Sequence, residues 1–149
     1  MQVTATFPGI WLRWLVALVV GLMAFGLSMV LAPAFILRVF SLLIYSSPEH
    51  LESFGSTAVA YISLAHAILG AVMLGWGVAL LFVVLGAFRR GAREGWQIVV
   101  VSVTAWLVPD TLFSLWFGFW QNAILNAFIG VLFAIPLAAT YRAFHEASA

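Results

Sequence analysis

Four long apolar segments, separated by shorter polar stretches, dominate the pattern of hydrophobic and polar positions along this chain. They cover residues 10–32, 57–88, 96–117 and 121–141. A helix needs about 20 residues to cross about 30 Å of hydrocarbon, and each segment meets that length. The pattern therefore predicts an all-α membrane protein, a four-transmembrane-helix bundle that forms a single domain over residues 1–149. The second segment exceeds the thickness of the hydrocarbon, so its helix should tilt or protrude.

The stretch between the first two segments, residues 34–55, is too long and too apolar to be an open loop. On a helix, its polar side chains fall on one face: Arg38, Ser41 and Tyr45. The pattern predicts a short interfacial helical segment between helices 1 and 2, with its other face against lipid or protein. A second short helix should follow, capped by Ser46 or Ser47 and ended by Gly55. Further along, Gly118 should allow a tight hairpin between the third and fourth transmembrane helices.

Composition narrows the partners to the lipid bilayer and to proteins within it. Hydrophobic residues make up 65% of the chain and charged residues only 7%, whereas about a quarter of the residues in soluble proteins are charged. The net charge of +1, with no basic stretch interleaved with aromatic residues, excludes nucleic acid as a partner. The chain has no Cys and no Lys, which removes disulfides, thiolate metal sites and Schiff-base cofactors.

The distribution of Arg predicts the orientation of the chain in the membrane. Five residues fall on one side of a four-helix threading: Arg13, Arg89, Arg90, Arg93 and Arg142. Arg38 lies alone on the opposite side. Because Arg collects at cytoplasmic ends, both termini should be cytoplasmic, in a multi-pass protein of the cell inner membrane. The charge-free run over residues 14–37 is longer than the apolar part of a signal peptide, about 7–15 residues, so we expect a retained transmembrane helix.

Asp110 is the leading candidate for a functional residue, because it is the only acidic residue inside the apolar segments. An ionised carboxylate at this depth costs about 2.5–3.5 kcal/mol on insertion scales, so its presence needs a reason. A rise of 1.5 Å per residue puts Asp110, His66 and Asn126 in one layer, about 7–14 Å below the outer surface. Ser114 shares a helix face with Asp110, and Asn122 shares one with Asn126. These residues predict a convergent polar cluster that could bind a ligand.

Three interpretations of this cluster remain open. In the first, Asp110 is protonated or hydrogen-bonded to Asn126 or His66 and holds the bundle together; such contacts contribute about 0.6 kcal/mol on average. In the second, Asp110 and His66 carry a proton or bind a ligand in a cavity open to the outer side, which makes them the catalytic candidates. In the third, His66 alone is an axial ligand of haem or a chlorin. No other metal site is predicted, and the sequence requires no cofactor.

A small-residue ladder follows the second apolar segment at every fourth position: Ser63, Ala67, Ala71, Gly75 and Ala79. Small side chains at this spacing let two helix backbones approach closely in a right-handed crossing. We expect this ladder to be a packing face, preferably inside the chain. Replacing Gly75 or Ala71 with Leu should then destabilise the fold by about 1–3 kcal/mol through overpacking.

Two stretches near the N-terminus carry a resemblance to a known family. Leu12-Arg13-Trp14-Leu15 is followed by glycines at 21 and 26, and residues 31–40 read Leu-Ala-Pro-Ala-Phe-Ile-Leu-Arg-Val-Phe. This pattern resembles the first helix of small bacterial four-helix membrane proteins of the DoxX-like kind, and the likeness in helix count and length extends over most of the chain. The resemblance implies a four-helix architecture in a bacterial inner membrane, without an activity.

Two further resemblances concern the candidate residues. The overall plan is similar to that of the EXPERA group of sterol isomerases and apolar-ligand receptors, whose intramembrane acidic residues are of the same kind as Asp110. Leu64-Ala65-His66-Ala67 resembles the pigment-binding helices of bacterial light-harvesting polypeptides.

The sequence as a whole favours an accessory or structural subunit that packs on a larger membrane complex or on itself. The alternative is an isomerase-like enzyme or a binding protein for an apolar ligand, using Asp110 and His66.

Overall fold

The computed structural model describes residues 9–145, and most of these residues are helical. In chain order the elements are α1 (Gly9–Leu31), α2 (Pro33–Tyr45), a 3₁₀ helix (His50–Phe54), α3 (Ser56–Val83) with a π-helical turn (Val84–Phe88), α4 (Arg93–Trp116) and α5 (Trp120–His145). Among the described residues, α1, α3 with its π-helical turn, α4 and α5 are long and apolar enough to cross a membrane. The predicted all-α bundle with four helices of spanning length is confirmed.

The helix ends lie close to the predicted ones, with two extensions. α4 begins at Arg93 and α5 continues to His145. The apolar pattern excluded these turns because they carry charged and polar side chains. Aromatic contacts hold the added turn of α5, since the His145 ring lies 5.1 Å from that of Trp96 and 4.1 Å from that of Tyr141.

The described residues form two compact units. One contains residues 9–20 and 78–145, and the other contains residues 21–77. The long helices α1 and α3 each contribute to both units. The predicted single domain over the whole chain stays a prediction.

Gly26 of α1 and Gly70 of α3 bring two helix backbones together within residues 21–77. A Cβ atom added at Gly26 would lie 2.7 Å from the carbonyl oxygen of Gly70, and one added at Gly70 would collide with Gly26 and Met29. Gly77, two turns after Gly70, makes room for the side chain of Met23 of α1. A side chain at Gly26 or Gly70 would meet backbone and force the helices apart, so glycine at these two positions permits the crossing.

The small-residue ladder is not the face of α3 that packs within the described residues, which corrects the preferred internal contact. Three of its members are exposed: Ala71, Gly75 and Ala79. A Cβ atom at Gly75 would meet no described atom within 4 Å. Residues four apart advance about 40° around a helix, so a ladder of five drifts about 160° away from any single contact, whereas Gly70 and Gly77 differ by only about 20°. The predicted internal overpacking by Leu at Gly75 is therefore wrong.

The connection over residues 34–55 contains the predicted helix, but its polar face was assigned wrongly. Ser41 is fully buried. Its hydroxyl donates to the carbonyl of Ser47 at 2.6 Å and accepts from the N–H of Leu51 at 3.1 Å, so it ties α2 to the 3₁₀ helix. Arg38 remains exposed and lies 3.6 Å from Glu52 in a surface ion pair, which contributes little stability.

The predicted caps of the second short helix are also corrected. Ser46 has a left-handed backbone (φ 57°) and ends α2, its N–H donating to the carbonyl of Leu42. Glu49 precedes the 3₁₀ helix and makes no side-chain cap. The buried hydroxyl of Ser41 supplies the polar contacts that a cap would have made. Gly55 (φ 86°) ends the 3₁₀ helix, as predicted.

Gly118 closes the α4–α5 hairpin, as expected. It has a positive φ of 81° and donates its N–H to Leu115 at 3.3 Å, while Phe119 donates to the carbonyl of Ser114 at 2.7 Å. This pair of hydrogen bonds is a Schellman motif, which favours glycine at the left-handed position. The same pair of bonds surrounds Gly91 (φ 74°) after the π-helical turn.

Two Trp side chains tie other helices to α5. Pro136 has no N–H, so it leaves the carbonyl of Leu132 without its helical donor. The indole Nε1 of Trp14 donates to this carbonyl at 3.1 Å. From α4, the Nε1 of Trp96 donates to the carbonyl of Leu137 at 3.0 Å. The proline interruption is thereby satisfied by a side chain from α1 in the same compact unit.

Candidate functional site

Asp110, Ser114 and Asn122 form a hydrogen-bonded group in the α4–α5 hairpin, called here the Asp110 cluster. The amide nitrogen of Asn122 donates to Asp110 Oδ1 at 3.1 Å and to Ser114 Oγ at 2.8 Å. The Ser114 hydroxyl donates to the backbone carbonyl of Asp110 at 2.7 Å. Asp110 is partly buried, and Ser114 is almost fully buried. The carboxyl group therefore has a polar partner, as predicted.

The hairpin itself explains why these three residues meet. Asp110 and Ser114 are one turn apart on α4, so both side chains point along one face. The tight turn at Gly118 reverses the chain and brings the start of α5 back alongside the end of α4. Asn122 lies in the first turn of α5, opposite Ser114. The cluster is consequently a local arrangement made within thirteen residues of sequence.

Asn126 was a predicted partner of Asp110, and its side chain has a different environment. It is only 2% exposed, and its amide nitrogen has no hydrogen-bond partner among the described residues. Thr111 Oγ1 is also buried without a partner. Asn122 takes the place predicted for Asn126, because it is the Asn next to the turn. Asn126, predicted with His66 as a candidate partner, is therefore not the donor to Asp110; Asn122 is.

The pairing of α4 with α5 shows how far along the hairpin Asn126 lies relative to Asp110. Leu107 lies against Gly130, where an added Cβ atom would be 2.8 Å from Leu107 Cδ2. One turn further toward Gly118, the Asp110 cluster joins the same two helices. Asn126 lies midway between these contacts on α5, so it is at the level of Asp110. Two buried polar atoms without partners thus accompany the cluster in this hairpin.

His66 belongs to the compact unit of residues 21–77 and has mainly apolar surroundings. Its ring stacks on that of Phe40 with centroids 4.5 Å apart. Its Nδ1 is buried and makes no hydrogen bond with the described residues. An axial His usually donates its second ring N–H to an acceptor, and Nδ1 has none here. The participation of His66 in a ligand or haem site, alone or with Asp110, stays a prediction.

No group of three or more His, Cys, Asp or Glu residues in the described part of the chain could hold a metal ion. One further feature is an apolar groove of about 310 Å³ between α4 and α5. Its walls include Trp96, Val100 and Leu107 of α4 and Gly130, Ala134 and Ala138 of α5. None of the predicted site residues lines it.

Two features of the structure were not predicted from the sequence. Thr111 follows Asp110 directly and carries a buried hydroxyl that makes no hydrogen bond within residues 9–145. Trp14 donates to the carbonyl that Pro136 leaves free. The need for the Trp14 hydrogen bond could have been read from the sequence. A proline inside an apolar helix leaves the carbonyl of the residue four positions earlier without its backbone donor, so another donor is needed.

No protein-family model, no curated protein and no solved structure matches this chain significantly.

Proposed function

We propose that this chain is a small integral membrane protein that serves as an accessory or structural subunit, packing on copies of itself or on a larger membrane complex. The observation that carries the proposal is the exposed part of the small-residue ladder: Ala71, Gly75 and Ala79. A Cβ atom at Gly75 would meet no described atom within 4 Å. Small side chains at this spacing allow another helix to approach closely, because no larger side chain keeps the two backbones apart.

The polar groups of the hairpin are consistent with this role. Asn122 and Ser114 give the carboxyl group of Asp110 its hydrogen bonds without any other molecule. A buried polar group with partners is much less costly than an isolated one. Asp110 therefore serves to hold α4 and α5 together, and the helices present a fixed outer surface to a partner.

Disulfide crosslinking tests the proposed association, because the chain has no Cys of its own. We expect Gly75→Cys in native membranes to form crosslinked dimers under mild oxidation if the partner is a second copy. If the partner is another membrane protein, a photoreactive group attached to this Cys should form an adduct with it. Val131→Cys is the matched control, since Val131 is 57% exposed on α5 and lies outside the ladder. Equal yields at the two positions, or no adduct at position 75, would contradict the proposal.

We further propose a bacterial inner membrane location with both termini in the cytoplasm. The support is the set of five Arg against Arg38 alone, together with four helices of spanning length. An impermeant thiol reagent should label Ala92→Cys only after the inner membrane is permeabilised. Labelling of this residue from the outside of intact cells would show the opposite orientation and contradict the proposal.

The binding of an apolar ligand with a polar group is the second candidate function. It is favoured by Asn126 Nδ2 and Thr111 Oγ1, two buried atoms at the level of Asp110 that have no hydrogen-bond partner among the described residues. Asp110→Asn separates the two functions, because it keeps the hydrogen-bonding capacity and loses the acidic proton. A structural role predicts normal folding and assembly of the variant. A ligand-binding or catalytic role predicts a folded protein that has lost its ligand or activity.

A further inference from the structure

We propose that the apolar groove between α4 and α5 holds one acyl chain of an anionic phospholipid whose headgroup binds Arg93. This site is separate from the Asp110 cluster and from the exposed ladder of α3. The groove and the charge next to it are both features of one compact unit, residues 9–20 and 78–145.

The shape of the groove fits a single chain that runs along the helices. It extends from Trp96 to Leu107, which at 1.5 Å per residue is about 16 Å, or half the thickness of the hydrocarbon. Small residues of α5 form one wall, Gly130, Ala134 and Ala138. Leu107 closes the far end by packing against Gly130. The groove therefore has an end within the membrane and an opening toward the start of α4.

Arg93 lies at that opening. With about 100° between successive residues, Arg93, Trp96, Val100 and Leu107 fall within about 60° on one face of α4. Arg93 is exposed and has no ion pair among the described residues. Arg93 is therefore one turn before Trp96 on the helix face that lines the groove, and its exposed guanidinium group is available to a phosphate.

The neighbouring side chains favour a lipid over another occupant. Trp96, Tyr141 and His145 form an aromatic group at the opening, with ring centroids 4.1–5.5 Å apart. Aromatic residues are typical of the boundary between headgroups and hydrocarbon. Among the described residues, Arg142 is also exposed at this end of the hairpin, as is Glu94. The exposed cations Arg93 and Arg142, next to an apolar groove, complement an anionic headgroup with its chain.

Native mass spectrometry of the purified full chain in mild detergent tests the proposal with two added lipids, phosphatidylglycerol and phosphatidylcholine of identical chains. We expect preferential retention of phosphatidylglycerol. Arg93→Gln should weaken its binding about fivefold, the effect of removing one Arg near a headgroup. Arg38→Gln is the control, because Arg38 is exposed and lies outside this unit, and it should leave binding unchanged.

A second variant tests the groove itself. Ala134→Phe fills it and should reduce the retention of both lipids, whereas Arg93→Gln should reduce only that of phosphatidylglycerol. If Ala134→Phe does not fold, the comparison of Arg93→Gln with Arg38→Gln still decides. Equal retention of the two lipids by the unaltered protein, or equal losses in Arg93→Gln and Arg38→Gln, would overturn the proposal.

Discussion

Hydrogen bonds around Asp110 hold the α4–α5 hairpin, whereas backbone contact at Gly26 and Gly70 holds the crossing of α1 and α3. In the hairpin, a donor from Asn122 reaches both Asp110 and Ser114. At the crossing, the contact depends on the absence of a side chain. In hydrocarbon, helices gain nothing from hiding apolar surface from water, so close packing and hydrogen bonding are the two available ways to associate. The crossing of α1 and α3 relies on close packing, and the hairpin adds hydrogen bonds to it.

The strongest test of the crossing is Gly70→Leu. The added side chain would collide with the backbone of Gly26, which cannot move without separating the helices. We expect a loss of about 3 kcal/mol in the free energy of unfolding, at the upper end of overpacking effects. Unfolding in mixed micelles, followed by circular dichroism, measures this loss.

Gly75→Leu is the matched control on the same helix. Its side chain would point away from the described contacts, so we expect the stability of the isolated chain to change by less than about 0.5 kcal/mol. Similar losses in Gly70→Leu and Gly75→Leu would show that α3 packs through the small-residue ladder after all.

The hairpin is tested by comparing Asn122→Leu with Asn126→Leu, two changes of the same size and chemistry. Asn122→Leu removes the donor to Asp110 and Ser114, and we expect a loss of about 1–2 kcal/mol. Asn126→Leu removes an amide whose nitrogen has no partner, so it should be neutral or slightly stabilising. Unfolding in micelles again gives both values. A larger loss for Asn126→Leu would mean that Asn126, and not Asn122, supports the hairpin.

A smaller effect is expected at the proline of α5. Trp14→Phe removes the indole donor to Leu132 and should cost about 1 kcal/mol. Pro136→Ala restores the backbone donor to the same carbonyl, so the cost of Trp14→Phe should fall by about half in that background. A double-mutant cycle measures this coupling. Additive effects would mean that Trp14 stabilises α5 by packing alone.

The comparison also explains which parts of the structure were predictable from sequence. The hairpin was predictable in outline, because Asp110, Ser114 and Asn122 are close in sequence and Gly118 gives the turn between them. The choice of Asn122 over Asn126 was not, since it depends on the register that the turn imposes. An error of one helical turn in this register exchanges Asn122 for Asn126 as the donor to Asp110.

The crossing of α1 and α3 was not predictable, because Gly26 and Gly70 are far apart in sequence. A repeat of small residues indicates where backbones could approach, but not which helix approaches or whether it belongs to the same chain. The burial of Ser41 was missed for a related reason. A hydroxyl on an amphipathic helix was assigned to the polar face, although the following turn supplied its partners.

The mass of the protein extracted in mild detergent tests the central claim most directly. We expect the unaltered protein to be present as two or more copies, or bound to another membrane protein, by native mass spectrometry and light scattering. Gly75→Leu should reduce this assembly to single chains that retain their thermal stability. An unaltered protein that is a single chain without a protein partner, in detergent and in lipid nanodiscs, would contradict the role of a structural subunit.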